Sequence, residues 1–209
     1  KQGIGANRGN DPRVIQMQLK SDAIAREYAR QIVAGNASTP GSNVTGVTNN
    51  GEFDGVARLA TYSNLPADAV GVDFFELDKL ILSMDQVDVL IVGPRHYALI
   101  KGLMRSAGGT DQIQIATHNV VSYAGIPVLM SRFLPFDAVD LAQPVIAARL
   151  NRDGAGGLTG LLPVSGGVDH HELGMAENSY EYKYRLAFQG GLIVPDAANT
   201  VKGTWFTHM

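Results

Sequence analysis

Three observations predict an α+β protein. Arg13–Ala34 carries the longest helical spacing in the chain, Val87–Ala107 switches from a strand pattern to a helical one, and Tyr180–Gln189 alternates strictly by two. Val87–Val128 is the stretch on which the rest is organised. Val87-Asp88-Val89-Leu90-Ile91-Val92 is short, apolar and β-branched, and Gly93-Pro94 ends it, as expected of a buried strand. Pro94 suits a first helical position, because its missing N–H is one that a helix leaves unused there. Tyr97, Ile100, Leu103 and Met104 then share a face, and Ala107-Gly108-Gly109 can take the positive φ that stops a helix. Val120–Tyr123 and Ile126–Met130 follow as two strands joined by the turn pair Ala124-Gly125.

The totals limit the function classes. With 209 residues, 45% hydrophobic and 18% charged, the chain is long enough for one large or two small globular domains. A net charge of -3 argues against a dedicated nucleic-acid binder, which normally shows a basic face. Cysteine is absent, which excludes disulfides, thiolate nucleophiles and thiolate metal sites. No run approaches the roughly 18 apolar residues of a membrane span, and the polar N-terminus has no signal-peptide core. The chain opens at Lys1 rather than Met, as expected of a processed product, an expression form or an ordered fragment.

In chain order, Lys1–Asn10 is Gly- and Asn-rich, and Asp11-Pro12 starts a helix by capping and first-turn geometry. Val14, Met17, Ser21, Ile24, Tyr28 and Ile32 form one stripe of that helix, and Gly35-Asn36 ends it. Ala37–Gly51 reads as a surface loop. Phe53–Ala60 and Phe74–Met84 have helical spacing, the second capped by Asp73. Pro144–Leu150 and Leu158–Val164 read as strands around the Gly-rich turn Asp153–Gly157, and Ser165–His171 reads as a loop. In the alternating strand, Tyr180, Tyr182, Tyr184, Leu186 and Phe188 occupy one side. Gly190-Gly191 turns the chain into Leu192-Ile193-Val194, and Thr200–Phe206 offers a last strand.

Each chemical motif meets a plainer explanation. Gly3-Ile4-Gly5-Ala6-Asn7-Arg8-Gly9 follows no strand and departs from the dinucleotide spacing. Gly93-Pro94 stands at a helix start that can hold phosphate, but proline removes a donor and no Gly-Lys-Ser/Thr follows. Asp169-His170-His171-Glu172 is a dense group of metal-type ligands, yet neighbouring residues of a strand point to opposite faces. His96, His118 and His208 are dispersed, and no nucleophile-elbow signature is present. The tyrosine stripe lacks the basic setting of a base-stacking platform. No residue is therefore expected to be catalytic, cofactor-binding or metal-ligating.

The order of elements is more specific than any one motif. The helix QMQLKSDAIAREYARQIVAGN (Gln16–Asn36) ends in Gly-Asn; Phe53-Asp54-Gly55-Val56 follows, then VDVLIVGPRHYALIKGLMRSAGG from Val87. Tyr123-Ala124-Gly125-Ile126-Pro127-Val128 and the closing Tyr184–Pro195 complete the series. Across Arg13–Trp205 this order resembles the HK97-type major capsid protein of tailed bacteriophages, with Ala124 where that family usually has a polar residue. The resemblance implies an HK97-like fold with a peripheral domain, residues 1–52 and 172–190, containing a spine helix at 13–34. It implies an α/β axial domain at 53–171, with Asp153–Gly157 as candidate axial loop, and closing strands of unassigned side at 191–209. The family's extended N-terminal arm and long E-loop are expected to be missing before the helix, so the lysine of its occasional isopeptide cross-link has no assignment.

The implied function is a structural shell protein and not an enzyme. Copies would assemble as pentamers and hexamers of an icosahedral head enclosing double-stranded DNA, contacted without sequence specificity. Scaffold and portal proteins are the other implied partners, with no membrane and no cofactor. The expected location is the virion, after synthesis in the host bacterial cytoplasm. The same fold builds encapsulin-like compartments. A different class is an α/β enzyme using the Gly93-Pro94 helix start or the His170-His171 region.

Overall fold

A computed structural model describes residues 12–36, 53–108, 112–115, 118–151, 156–164, 168–175 and 182–207. The elements begin with α1 (Pro12–Ala34), α2 (Val56–Leu59), β1 (Thr61–Tyr62), a 3-10 turn (Pro66–Asp68) and α3 (Phe74–Leu82). Next come β2 (Val89–Val92), α4 (Pro94–Ser106), β3 (Gln112–Ile115), β4 (His118–Tyr123), β5 (Ile126–Met130) and β6 (Ala142–Ala148). The remainder is β7 (Thr159–Leu161), β8 (Val168–Met175), β9 (Tyr182–Phe188), β10 (Gly191–Ile193), α5 (Ala197–Thr200) and β11 (Val201–Thr207). By compactness the chain divides into Lys1–Arg30 with Leu161–Gly190, and Gln31–Gly160 with Gly191–Met209.

The second unit is organised by a mixed sheet. Among the described residues seven strands join in the order β1-β11-β6-β2-β5-β4-β3. The anticipated strand, helix and hairpin from Val87 to Met130 are observed: β2 feeds α4, and the chain returns through β4 and β5. β5 pairs parallel to β2 through Leu90↔Val128. β6 lies between β2 and β11 and is buried along its whole length. Its side chains alternate between two cores. Val145 and Ala147 join Leu77 and Leu80 of α3, Ile100 and Met104 of α4, and Phe206. Ile146 and Ala148 join Val33, Val56 and Val201. Burying each such Leu, Ile, Val or Phe contributes about 1.5–3 kcal/mol, so β6 is the strand on which both cores depend.

Pro144 sits inside that central strand, where a proline normally costs a ladder bond. On the β11 side the position asks for none, and the register with β2 runs only from Ala148 to Ile146. Its partner in register is Trp205, whose N–H donates to Asn64 Oδ1 at 2.8 Å and whose carbonyl accepts from Asn64 Nδ2 at 3.0 Å. Asn64 therefore continues the edge beyond the two residues of β1 by offering a side-chain amide where a backbone amide would stand.

α1 spans 23 residues, about 35 Å at 1.5 Å per residue. Pro12 takes the anticipated first helical position; Asp11, the Gly3–Gly9 run and the expected loop Ala37–Gly51 lie outside the described residues. Later on the predicted stripe Ile24, Tyr28 and Ile32 are half-buried, whereas Val14 and Met17 are exposed. The helix ends where its backbone meets the segment before α2. Gly55 N–H donates to the Gly35 carbonyl at 2.9 Å. A Cβ on Gly35 would fall 2.2 Å from the Phe53 carbonyl, and one on Gly55 would fall 2.6 Å from Gly35 N. Only two glycines permit that approach.

In the first unit β8 and β9 pair antiparallel, from Val168↔Phe188 to Met175↔Tyr182, with an irregularity between Glu172 and Gly174. Gly174 takes φ +77° there, as a bulge residue does. Tyr28 lies against Phe188 with ring centroids 4.4 Å apart, and Glu27 pairs with Arg30 at 2.6 Å.

Three expectations need correcting. Ser165–His171 is not all loop, because β8 starts at Val168; Asp169–Glu172 has no apolar alternation to announce a strand, and pairing to β9 makes it one. The helix expected over Phe53–Ala60 is confined to Val56–Leu59, since Phe53–Gly55 is drawn against Gly35. The strand expected over Leu158–Val164 shrinks to β7, and Leu150 and Leu158, flanking the Gly-rich turn, meet in a single parallel bridge. β3 was not anticipated.

Candidate functional site

α3 and the β1 edge of the sheet enclose a cavity. β1 pairs parallel to β11 through Thr61↔Lys202 and Tyr62↔Gly203. Gly203 lacks a side chain where the Tyr62 ring lies, since a Cβ would be 2.5 Å from Tyr62 Cε1. Tyr62 Oη donates to the Ala57 carbonyl at 2.6 Å, and burial pushes its phenol up to about 12. Next along the edge, Ser63 Oγ and Thr204 Oγ1 are 2.8 Å apart. On the facing side Asp73 caps α3 through the Phe74 N–H, and Glu76, Lys79, Leu80 and Ser83 line the cavity, whose volume is about 250 Å³. Lys79 reaches Glu76 at 3.4 Å. Lys202 donates to the Ser83 carbonyl, a neutral acceptor. The result is a hollow lined by Leu80 and Tyr62 together with two ammonium groups, Lys79 and Lys202, and one carboxylate, Glu76.

A second cavity, near 160 Å³, is more open and lies at the junction of Gly35 with Ala57, Arg58 and Pro135. Arg58 is held there by Asp54 at 2.9 Å and Asn36 at 2.8 Å.

The loop between β5 and β6 stands out on the same unit. Val139 at its tip is 89% exposed, and Phe136 and Leu141 are exposed as well. The Asp137 carboxylate accepts from Val139 N–H at 2.8 Å and Asp140 N–H at 3.2 Å. Asp137 and Ala142 exchange backbone bonds of 2.9 and 3.1 Å, closing the loop base. Leu141 is thereby held at φ +49°, a left-handed conformation costing a leucine about 1–2 kcal/mol. The loop is a braced protrusion.

The sequence motifs land elsewhere. Gly93 caps α4 without a side-chain bond, and the Gln143 carboxamide fills the space above it, because a Cβ there would be 1.8 Å from Gln143 Oε1. That glycine serves close packing, and the anion cradle of the enzyme alternative would have to displace a buried amide. His96 is fully buried, its Nε2 3.3 Å from the Thr207 carbonyl and its ring edge-on to Phe206 at 6.1 Å. His170 and His171 are successive residues of β8, in register with Leu186 and Arg185. Among the described residues no group of three or more His, Asp or Glu could hold a metal ion. Tyr180 and Asp153–Ala155 lie outside the described residues, as does His208.

The hairpin Tyr123–Val128 docks on α3. Tyr123 stacks on Phe74 with centroids 5.7 Å apart, and its hydroxyl donates to Asp78 Oδ1 at 2.6 Å. Burial, then that bond and the nearby Asp78 and Asp73 charges, push its phenol well above the tyrosine range. The cavity and the braced loop had no sequence signature, because the cavity joins residues such as Ser63 and Thr204 that are 141 positions apart.

No family model and no curated protein sequence matches the chain. Solved structures do. The holo-SrpI encapsulin complex from Synechococcus elongatus PCC 7942 matches with a TM-score of 0.68 at 13% identity, over 94% of this chain and 66% of that one. The capsid of a native GTA particle matches with a TM-score of 0.56 at 15% identity, over 97% of this chain and 74% of that one. The chain thus spans about two thirds of the encapsulin subunit. At these identities the likeness is one of fold, and the HK97-type fold expected from the order of motifs is the fold observed.

Proposed function

We propose that this chain is a structural subunit of a self-assembling HK97-type shell, a capsid head enclosing double-stranded DNA. The supporting observation is that its fold follows, over nearly its whole length, that of a capsid and an encapsulin. The surface agrees with that role. Val14, Ile15 and Leu19 on the first turns of α1, Leu82 at the end of α3 and Val139 all expose large apolar side chains. Exposed apolar groups in such number suit surfaces that other copies cover. In this reading the chain catalyses nothing, and it belongs in the virion with scaffold, portal and DNA contacted without sequence preference.

A compartment that holds protein cargo is the second reading, supported by the likeness in fold to the encapsulin. Light scattering and electron microscopy of the purified chain test the shared part: pentamers, hexamers or closed shells are expected. Shells recovered from producing cells are then treated with nuclease and extracted. Protected double-stranded DNA supports the head, and co-purifying protein without DNA supports the compartment. A monomer whose melting responds to a phosphate ligand would favour the enzyme alternative and reject both shells.

A further inference from the structure

We infer that the braced loop 136–141 of one copy seats in the cavity between α3 and β11 of an adjacent copy; this rests on the shell reading above. The cavity volume of about 250 Å³ falls below the roughly 300–1,000 Å³ of small-molecule pockets. It exceeds the roughly 150 Å³ hollow that holds a single benzene. One or two aliphatic side chains fill such a space, and Val139 and Leu141 are two exposed aliphatic residues on one protrusion.

Charge fixes the pairing. Of the lining residues Glu76 and Lys79 satisfy each other, whereas Lys202 donates to a carbonyl and no carboxylate among the described residues reaches it. On the loop, the Asp137 carboxylate is committed to its own backbone. Asp140 is exposed beside Val139 and is left to pair with Lys202 as the valine enters. The bracing that holds Leu141 at φ +49° keeps the loop in one shape before contact, which reduces the ordering cost of association. Donor loop and acceptor cavity are different places on one subunit, so the contact is head-to-tail and propagates into a ring or shell, not a closed two-fold dimer.

Because the chain contains no cysteine, a designed pair reports without background. The full-length double variant Val139→Cys with Thr61→Cys, oxidised after assembly, should give a ladder of covalent oligomers on a non-reducing gel. Each single variant should give none. Mixing the two single variants should give a covalent dimer and nothing larger. Charge exchange is the second measurement: Asp140→Lys and Lys202→Glu should each raise the critical assembly concentration at least tenfold, and the combination should return most of that loss. Oligomers that form normally but show neither cross-link nor charge rescue overturn this inference and leave the shell reading intact. A wild-type chain that stays monomeric at every concentration overturns both.

Discussion

Ala124 takes φ +51° and Gly125 φ +79°, so the hairpin between β4 and β5 turns through two left-handed residues, the pattern that suits Asn-Gly. Alanine in that conformation costs about 1–2 kcal/mol, and asparagine tolerates it better. Ala124→Asn should therefore stabilise the fold by about 0.5–1 kcal/mol, read as a higher urea midpoint at unchanged slope. Tyr62 carries a pH signature. Its phenol ionises at about 12 when folded and near 10 when unfolded. The stabilisation is thus complete below pH 10 and is lost as the pH rises toward 12, by about 2–3 kcal/mol. A Tyr62→Phe variant should lack that part of the alkaline loss of stability, measured by denaturant titration between pH 9 and 12. Asn64→Ala would leave the Trp205 N–H and carbonyl without their amide partner, at about 1–3 kcal/mol, and the urea midpoint should fall accordingly.

At the scale of elements, the junction of α1 with the segment before α2 is the least forgiving contact. Gly55→Ala would set a methyl 2.6 Å from the Gln31 carbonyl and the Gly35 nitrogen. That overpacking against backbone should cost about 3 kcal/mol; a melting temperature within 2 °C of wild type would refute it. In the sequence Gly35 was readable as a helix end and Gly55 only as part of the helical stretch Phe53–Ala60, so their meeting was not. Elements whose own residues carry the pattern were legible: β2, α4 and the β4–β5 hairpin announce themselves by β-branching, period and turn residues. β8 did not, because its Asp169–Glu172 run is a strand only by virtue of β9. α1 was legible as a helix but not in what covers it, since Val14 and Ile24 look alike in spacing and differ in exposure. The cavity was illegible for a related reason: its walls come from β1, α3 and β11, and topology alone unites them.

For the molecule as a whole, the exposed apolar groups separate folding from association. Leu19 is 63% exposed, so Leu19→Lys should leave the melting curve of the isolated subunit within about 0.5 kcal/mol of wild type. If copies cover that surface, the same change should block particle growth in light scattering; undiminished growth would remove α1 from the contact surface. The position of β11 has a consequence in time. It is later in the chain than every other described strand, yet it lies between β1 and β6 and supplies Phe206 and Val201 to the two cores. A ribosome must therefore deliver this strand before the sheet can join up, and at about 5–20 residues per second the earlier strands wait for it. The α3–β11 hollow does not exist until then. If the loop does seat in that hollow, nascent chains crowded on one messenger would lack a receiving surface for one another until β11 has emerged.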